Sequence, residues 1–168
     1  MHRYRAELRW DGSTAVGYEA YPRAHEVRAV PVEAPLAMSS DPSFRGDPAL
    51  LNPEQLLVAA AASCQLLSFL AVAARARLDV VSYLDDATAE MPEDDPPVRV
   101  ARIELHPVVE LADTDRARPT EERLHHLTEV AHRECYIANS LRTEVVVHPT
   151  FRWRRRGLIV LGRGRSET

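Results

Sequence analysis

One stretch limits what this chain can become. Asn52-Pro53-Glu54-Gln55 opens an apolar run that continues from Leu56 to Ala74, broken only by Ser63, Cys64, Gln65 and Ser68. Asn52 is a good N-cap, Pro53 suits the first helical position, and Gln55 stands three residues after the cap, where a capping box places Glu or Gln. The pattern predicts one helix from Pro53 to about Leu78, ~39 Å long at 1.5 Å per residue. A transmembrane span needs ~20 predominantly apolar residues, so that reading has to be weighed. The polar interruptions and the alanine block Ala59 to Ala62 favour close helix packing in a soluble fold. So long an apolar helix needs cover along most of its length. Little chain is left to give it, so a tight or intertwined homodimer is expected.

Around that helix the sequence alternates between strand and helix periods. Tyr4, Ala6, Leu8 and Trp10 alternate with charged residues as in a half-buried strand, and Asp11-Gly12 reads as a hairpin turn. Gly17 to Tyr21 and Glu26 to Val32 read as two more strands, interrupted by Pro22 and stopped by Pro31 and Pro35. A Pro-, Ser- and Asp-rich loop fills Ala34 to Leu51, of the long kind that often carries function. After the helix, Asp79 to Met91 and Val98 to Leu111 read as an antiparallel pair joined by Pro92 to Pro97. Thr120 caps a second helix, with Glu121 and Glu122 in its first turn and Leu124, Leu127, Ala131, Cys135 and Ala138 on its buried face. Thr143 to Trp153 reads as a last strand, Leu158 to Leu161 as a short segment, and Gly162 to Thr168 as a frayed end.

The order of elements predicts an α+β fold: antiparallel sheets with a long central buried helix and a second helix to one side. A single domain spans 1–168, with N-terminal strands and a functional loop over 1–51 and the central helix over 52–78. The strand pair, second helix and final strand occupy 79–153, and 154–168 is an extension.

Composition excludes several classes of function. The formal charge of −4 and the absence of a basic stripe give no footprint for nucleic acid. All 21 basic residues are Arg, read as a compositional bias, and Arg152, Arg154, Arg155 and Arg156 as a solvated strand end. Met1 to Arg5 lack the apolar segment of a signal peptide, which leads us to expect a cytoplasmic protein without membrane attachment. Structural disulfides are uncommon there, so the two cysteines call for an explanation.

Each cysteine could be a small core hydrophobe. Two of them, on two separate apolar helices, also make a reactive pair: a thiolate attacks an electrophilic oxygen, and the second thiol condenses with the resulting sulfenic acid. A thiolate needs a positive neighbour, and Arg45 and Arg23 are the candidates, with Glu54 as a carboxylate able to hold a guanidinium. Glu54 and Cys64 are ten residues apart, ~15 Å along a straight helix, so a loop or a partner chain must bridge them. His132 and Cys135, three apart, form the core of a rival metal reading with Cys64 or His25. No G-x-S-x-G motif is present, and neither Ser63 nor Ser68 has an identifiable base. Flavin, haem and nicotinamide motifs are absent, so no cofactor is expected.

Asn52-Pro53-Glu54-Gln55-Leu56-Leu57 followed by Ala61-Ala62-Ser63-Cys64 resembles the signature of the OsmC/Ohr family of thiol-dependent peroxidases. Cys135-Tyr136-Ile137-Ala138-Asn139-Ser140-Leu141 is similar to that family's second cysteine motif, with Tyr136 where Pro commonly stands. The resemblance runs from about Phe44 to Pro149 and implies an intertwined homodimer with the long helices at its centre. It further implies a peroxidatic Cys64, a resolving Cys135 and a Glu54 that positions the active-site Arg. Spacing to Glu54 assigns that Arg to Arg45 on the OsmC-like pattern and to Arg23 on the Ohr-like one, and Arg45 is favoured. The expected activity is reduction of organic hydroperoxides with electrons from an external dithiol or lipoyl-type reductant. The alternative is a small-molecule binding protein that keeps the fold without peroxidase activity.

Overall fold

In the computed structural model, which describes residues 1–114 and 117–155, the capping residues act as their spacing dictates. Asn52 Oδ1 accepts the Gln55 N–H at 2.8 Å and Gln55 Oε1 accepts the Asn52 N–H at 3.1 Å. Helix α1 therefore starts at Pro53 and runs Pro53–Arg75. It stops short of Leu78 because Arg77 turns left-handed at φ 60°. The Leu78 N–H then bonds to Ala73 O at 2.9 Å and the Arg77 N–H to Ala74 O at 3.0 Å, a Schellman closure made without glycine. The chain divides into two compact units, Met1–Ala60 and Ala61 onward, and α1 passes from one into the other.

The first unit carries an antiparallel sheet in the order β1-β2-β3: β1 (Arg5–Arg9), β2 (His25–Val30) and β3 (Leu36–Met38). Four sequence expectations change here. Asp11-Gly12 closes no tight hairpin, because Arg9 pairs with Glu26 and residues 10–24 make a long excursion between the strands. Gly17 to Tyr21 is turn rather than strand, and Tyr18 and Tyr21 collect around Arg23 instead of joining a ladder. β3 lies inside the stretch expected to be all loop, held to β2 through His25 opposite Met38. β1 is exposed at every position, although its alternation had predicted one buried face.

The rest of the loop is built tightly. Asp41 caps a 3-10 turn at Pro42–Phe44. Gly46 is required there, since a Cβ at this position would lie 1.6 Å from Ser40 O.

The second unit splits what the sequence predicted as single strands. The antiparallel pair is present, but each strand breaks in two: β4 (Val80–Leu84) pairs with β7 (Val108–Asp113), and β5 (Thr88–Glu90) with β6 (Arg102–Leu105). At the break, Asp85 Oδ1 accepts the His106 N–H at 2.7 Å. The last strand also divides at His148-Pro149 into β8 (Glu144–Val147) and β9 (Thr150–Arg155), which lie parallel to β6 and β7. Two mixed three-stranded sheets result, β4-β7-β9 and β5-β6-β8. The parallel pairing follows from the helical crossover that returns the chain to the same end of both sheets.

That crossover is α2 (Glu121–Arg133), capped by Thr120 Oγ1 on the Arg123 N–H at 3.2 Å, followed by the short α3 (Tyr136–Ser140). Phe69, Val72 and Ala73 of α1 pack with Val109 and Leu111 of β7 and Leu124, Leu127 and Ala131 of α2 in one buried cluster. The expected segments Leu158 to Leu161 and Gly162 to Thr168, and Arg156, lie outside the described residues.

Candidate active site around Cys64 and Cys135

Cys64, Ser68, Ala71 and Arg75 fall at i, i+4, i+7 and i+11 along α1 and so share one stripe. With Leu67, Glu134 and Tyr136 they line a cavity of about 390 Å³. Its walls are mostly apolar or small, and its charged groups are Arg75 and Glu134, paired at 2.5 Å.

Cys135 does not sit on the face of a continuous helix, as its spacing had predicted. α2 ends at Arg133, and Cys135 occupies the N-cap position of α3 in an extended conformation, φ −73° and ψ 106°. The helix tightens and stops: the Glu134 N–H is shared between Val130 O and Ala131 O, and the Cys135 N–H reaches only to His132 O at 3.1 Å. Asn139 ties the junction together, donating its side-chain amide to Arg133 O at 2.9 Å and its backbone N–H to Cys135 O at 3.0 Å.

This break aims the backbone at the other cysteine. The Ile137 N–H donates to Cys64 Sγ at 3.5 Å. Both cysteines are free thiols; Cys64 is half-buried, whereas Cys135 is only 1% exposed. Burial pushes the Cys135 thiol above its usual range, and its hydrogen bond with Cys64 adds to this, against the lowering pull of the Ala138 and Ile137 amides. Cys135 is therefore held as a neutral thiol beside the more accessible Cys64.

Tyr83 is also held neutral, by burial first and then by the neighbouring Asp85 carboxylate. Its hydroxyl is buried without a hydrogen-bond partner. Gln65, next to Cys64 on the inner face of α1, is 1% exposed with neither amide atom partnered.

The remaining candidates lie in the first unit. Glu54 stands half-buried in the first turn of α1. Arg45, left-handed at φ 67°, pairs with Glu19 at 2.5 Å, and both side chains are exposed. Arg23 has its guanidinium over the Tyr21 ring at 3.6 Å and the Tyr18 ring at 4.8 Å, and donates to the carbonyls of both residues. Its Nε is buried without a partner, and it lines a cavity of about 370 Å³ with Trp10, Tyr21, His25, Ser39 and Pro53.

Burial lowers the pKa of His132, whose Nδ1 has no partner. Among the described residues no group of three or more His, Cys, Asp or Glu is arranged to hold a metal ion.

Sequence reading had missed Arg75, Glu134 and the Ile137 amide. The first was legible as the fourth residue of the Cys64 stripe. The amide carried no signal, because a backbone donor is the same in every residue but proline.

The family described as OsmC-like protein matches residues 46–150. Among solved structures, an OsmC-like protein of unknown function from Vibrio cholerae superposes with a TM-score of 0.79 at 29% identity, covering 89% of this chain and 100% of that one. The organic hydroperoxide resistance protein OsmC of Legionella pneumophila gives a TM-score of 0.62 at 15% identity, over 90% of this chain and 97% of that one. For the organic hydroperoxide resistance protein OhrB of Bacillus subtilis the values are 0.55 and 19%, over 90% and 98%. No curated protein matches the chain.

Proposed function

The chain belongs to the OsmC family, and from that premise we propose that it is a thiol-dependent peroxidase that reduces organic hydroperoxides to alcohols. The Cys64 thiolate attacks the peroxide, the O–O bond breaks, and the alkoxide leaves with a proton as the alcohol. Cys64 is left as a sulfenic acid. Cys135 then attacks Cys64 Sγ as its thiol proton passes to the departing hydroxide, which leaves as water, and a disulfide closes. An external dithiol, of which a dihydrolipoyl group is one kind, reduces that disulfide by exchange, is itself oxidised to a disulfide, and returns both thiols.

The observation that carries this reading is the meeting of the two thiols at the α2–α3 break, with the Ile137 N–H on Cys64 Sγ at 3.5 Å. The apolar cavity on the Cys64 stripe suits a substrate with a hydrocarbon tail. The family pattern gives Glu54 and Arg45 the task of positioning charge at the thiolate, with Arg23 as the alternative.

The same reading includes a homodimer. Leu67 is 63% and Leu70 37% exposed, and only 28% of the most apolar window of α1 is buried by its own chain. A second copy laid on this face would cover it.

The test is hydroperoxide consumption with a dithiol by wild type and Cys64→Ser. Turnover by wild type alone, with a loss of two hydrogens in the oxidised intact mass and a Cys64–Cys135 cross-link in peptide maps, is the expected result. Free thiols at both positions after treatment would sink the proposal.

A further inference from the structure

We infer that the Arg75–Glu134 ion pair is a positioning strut that holds Cys135 in reach of Cys64 while Cys64 is oxidised, and so sets the rate of disulfide closure. The inference rests on the proposed use of the two cysteines but concerns residues outside it. The α2–α3 junction presents Glu134, Cys135 and Tyr136 in succession, and two contacts fasten it to α1. At one end the Ile137 N–H rests on Cys64 Sγ at 3.5 Å. At the other, Arg75 Nη2 meets Glu134 Oε2 at 2.5 Å. The two α1 residues are eleven apart, ~16 Å along the helix, with Cys135 attached between the anchors.

These anchors respond differently to chemistry. The first depends on the state of the sulfur: when Cys64 becomes a sulfenic acid, the lone pairs that took the Ile137 N–H are altered and an oxygen enters the contact. The second involves no redox-active atom and is unchanged by oxidation. It fastens the residue directly before Cys135 to the helix that bears Cys64, at the moment when Cys135 must attack. Asn139 bonds only within the junction, to Arg133 O and Cys135 O, so it shapes the turn without attaching it to α1.

The pair is accessible, with side chains 59% and 48% exposed. Exposed pairs contribute little to overall stability. The expected effect of breaking it is therefore a change of about three- to five-fold in closure rate, the upper range for an exposed pair, with no loss of fold.

Closure can be read without peroxide. Mixing the reduced protein with one equivalent of an aromatic disulfide, 5,5′-dithiobis(2-nitrobenzoate), places thionitrobenzoate on the accessible Cys64 and releases one coloured thiolate. Attack by Cys135 on Cys64 Sγ then breaks the mixed disulfide, forms the Cys64–Cys135 bond and releases a second. The second phase is independent of reagent concentration and disappears in Cys135→Ser.

Arg75→Gln and Glu134→Gln should each slow the second phase about three- to five-fold. The exchanged double variant, Arg75→Glu with Glu134→Arg, should restore it. Added salt should slow the wild type toward the single variants and leave those variants unmoved, which loss of packing would not produce. Second phases equal to wild type in both single variants, or no restoration in the exchanged variant, overturn the strut. Because this readout uses no hydroperoxide, absence of peroxide turnover would count against the proposed function alone.

Discussion

At the residue scale the two cysteines differ in environment more than in position. Cys135 is buried and its neutral form is favoured, whereas Cys64 opens onto a cavity. A thiol whose folded pKa is raised stabilises the fold below its unfolded value of about 8.5, and that stability is lost as pH rises through the folded value. Denaturant titrations of wild type and Cys135→Ala across pH 7 to 10 should therefore diverge, with wild type losing stability more steeply on the alkaline side. Parallel curves would mean that burial of Cys135 does not favour its neutral form. Both cysteines were legible as the chain's reactive candidates, because sulfur chemistry belongs to the residue type. Their asymmetry was not legible, since exposure is set by the residues that fold against each thiol. The same holds for the two arginines: one sequence pattern left Arg23 and Arg45 open, and only folding put Arg23 against the Tyr18 and Tyr21 rings and Arg45 on Glu19.

At the element scale, local hydrogen bonding explains what sequence foresaw. Asn52, Pro53 and Gln55 act within one turn, so the start of α1 follows from letters three apart. Asn52→Ala should remove the side-chain bond to the Gln55 N–H, leave the backbone Asn52 N–H on Gln55 Oε1, and cost about 1 kcal/mol, within the range measured for N-caps. Thermal or urea unfolding checks this, and an unchanged midpoint would show that the Asn52 side chain contributes nothing as a cap. The strand breaks near Asp85 and His148 were invisible for the opposite reason. Alternation continues across them, and what divides each strand is a contact such as Asp85 with the His106 amide, 21 residues away in sequence. The break after Arg133 was hidden similarly, because Ala131, Cys135 and Ala138 keep helical spacing whether the helix continues or restarts.

At the scale of the whole molecule, α1 sets the problem and its own chain solves only part of it. Phe69, Val72 and Ala73 are buried, while Leu67 and Leu70 face outward. α1 is long and apolar enough to cross a bilayer, with a mean hydropathy of 2.1 in its best window, so the proposed dimer has a clear rival for that face. Light scattering should give twice the 18.9 kDa chain mass in detergent-free buffer. Leu67→Glu should shift it toward monomer, because a charge cannot be buried unpaired at such an interface. A detergent-free monomer in the wild type would overturn the dimer.

The sequence by itself determined the long capped helix, the α+β class and the two cysteines on separate elements, because caps, periodicity and thiol chemistry act within a few residues. Only the tertiary structure decided the mixed pairing of the sheets, the break that places Cys135 against Cys64, and the pairing of Arg75 with Glu134. The parallel strand pairs, the meeting of the two cysteines and the ion pair each join residues 40 or more apart in sequence, where no local pattern specifies a partner.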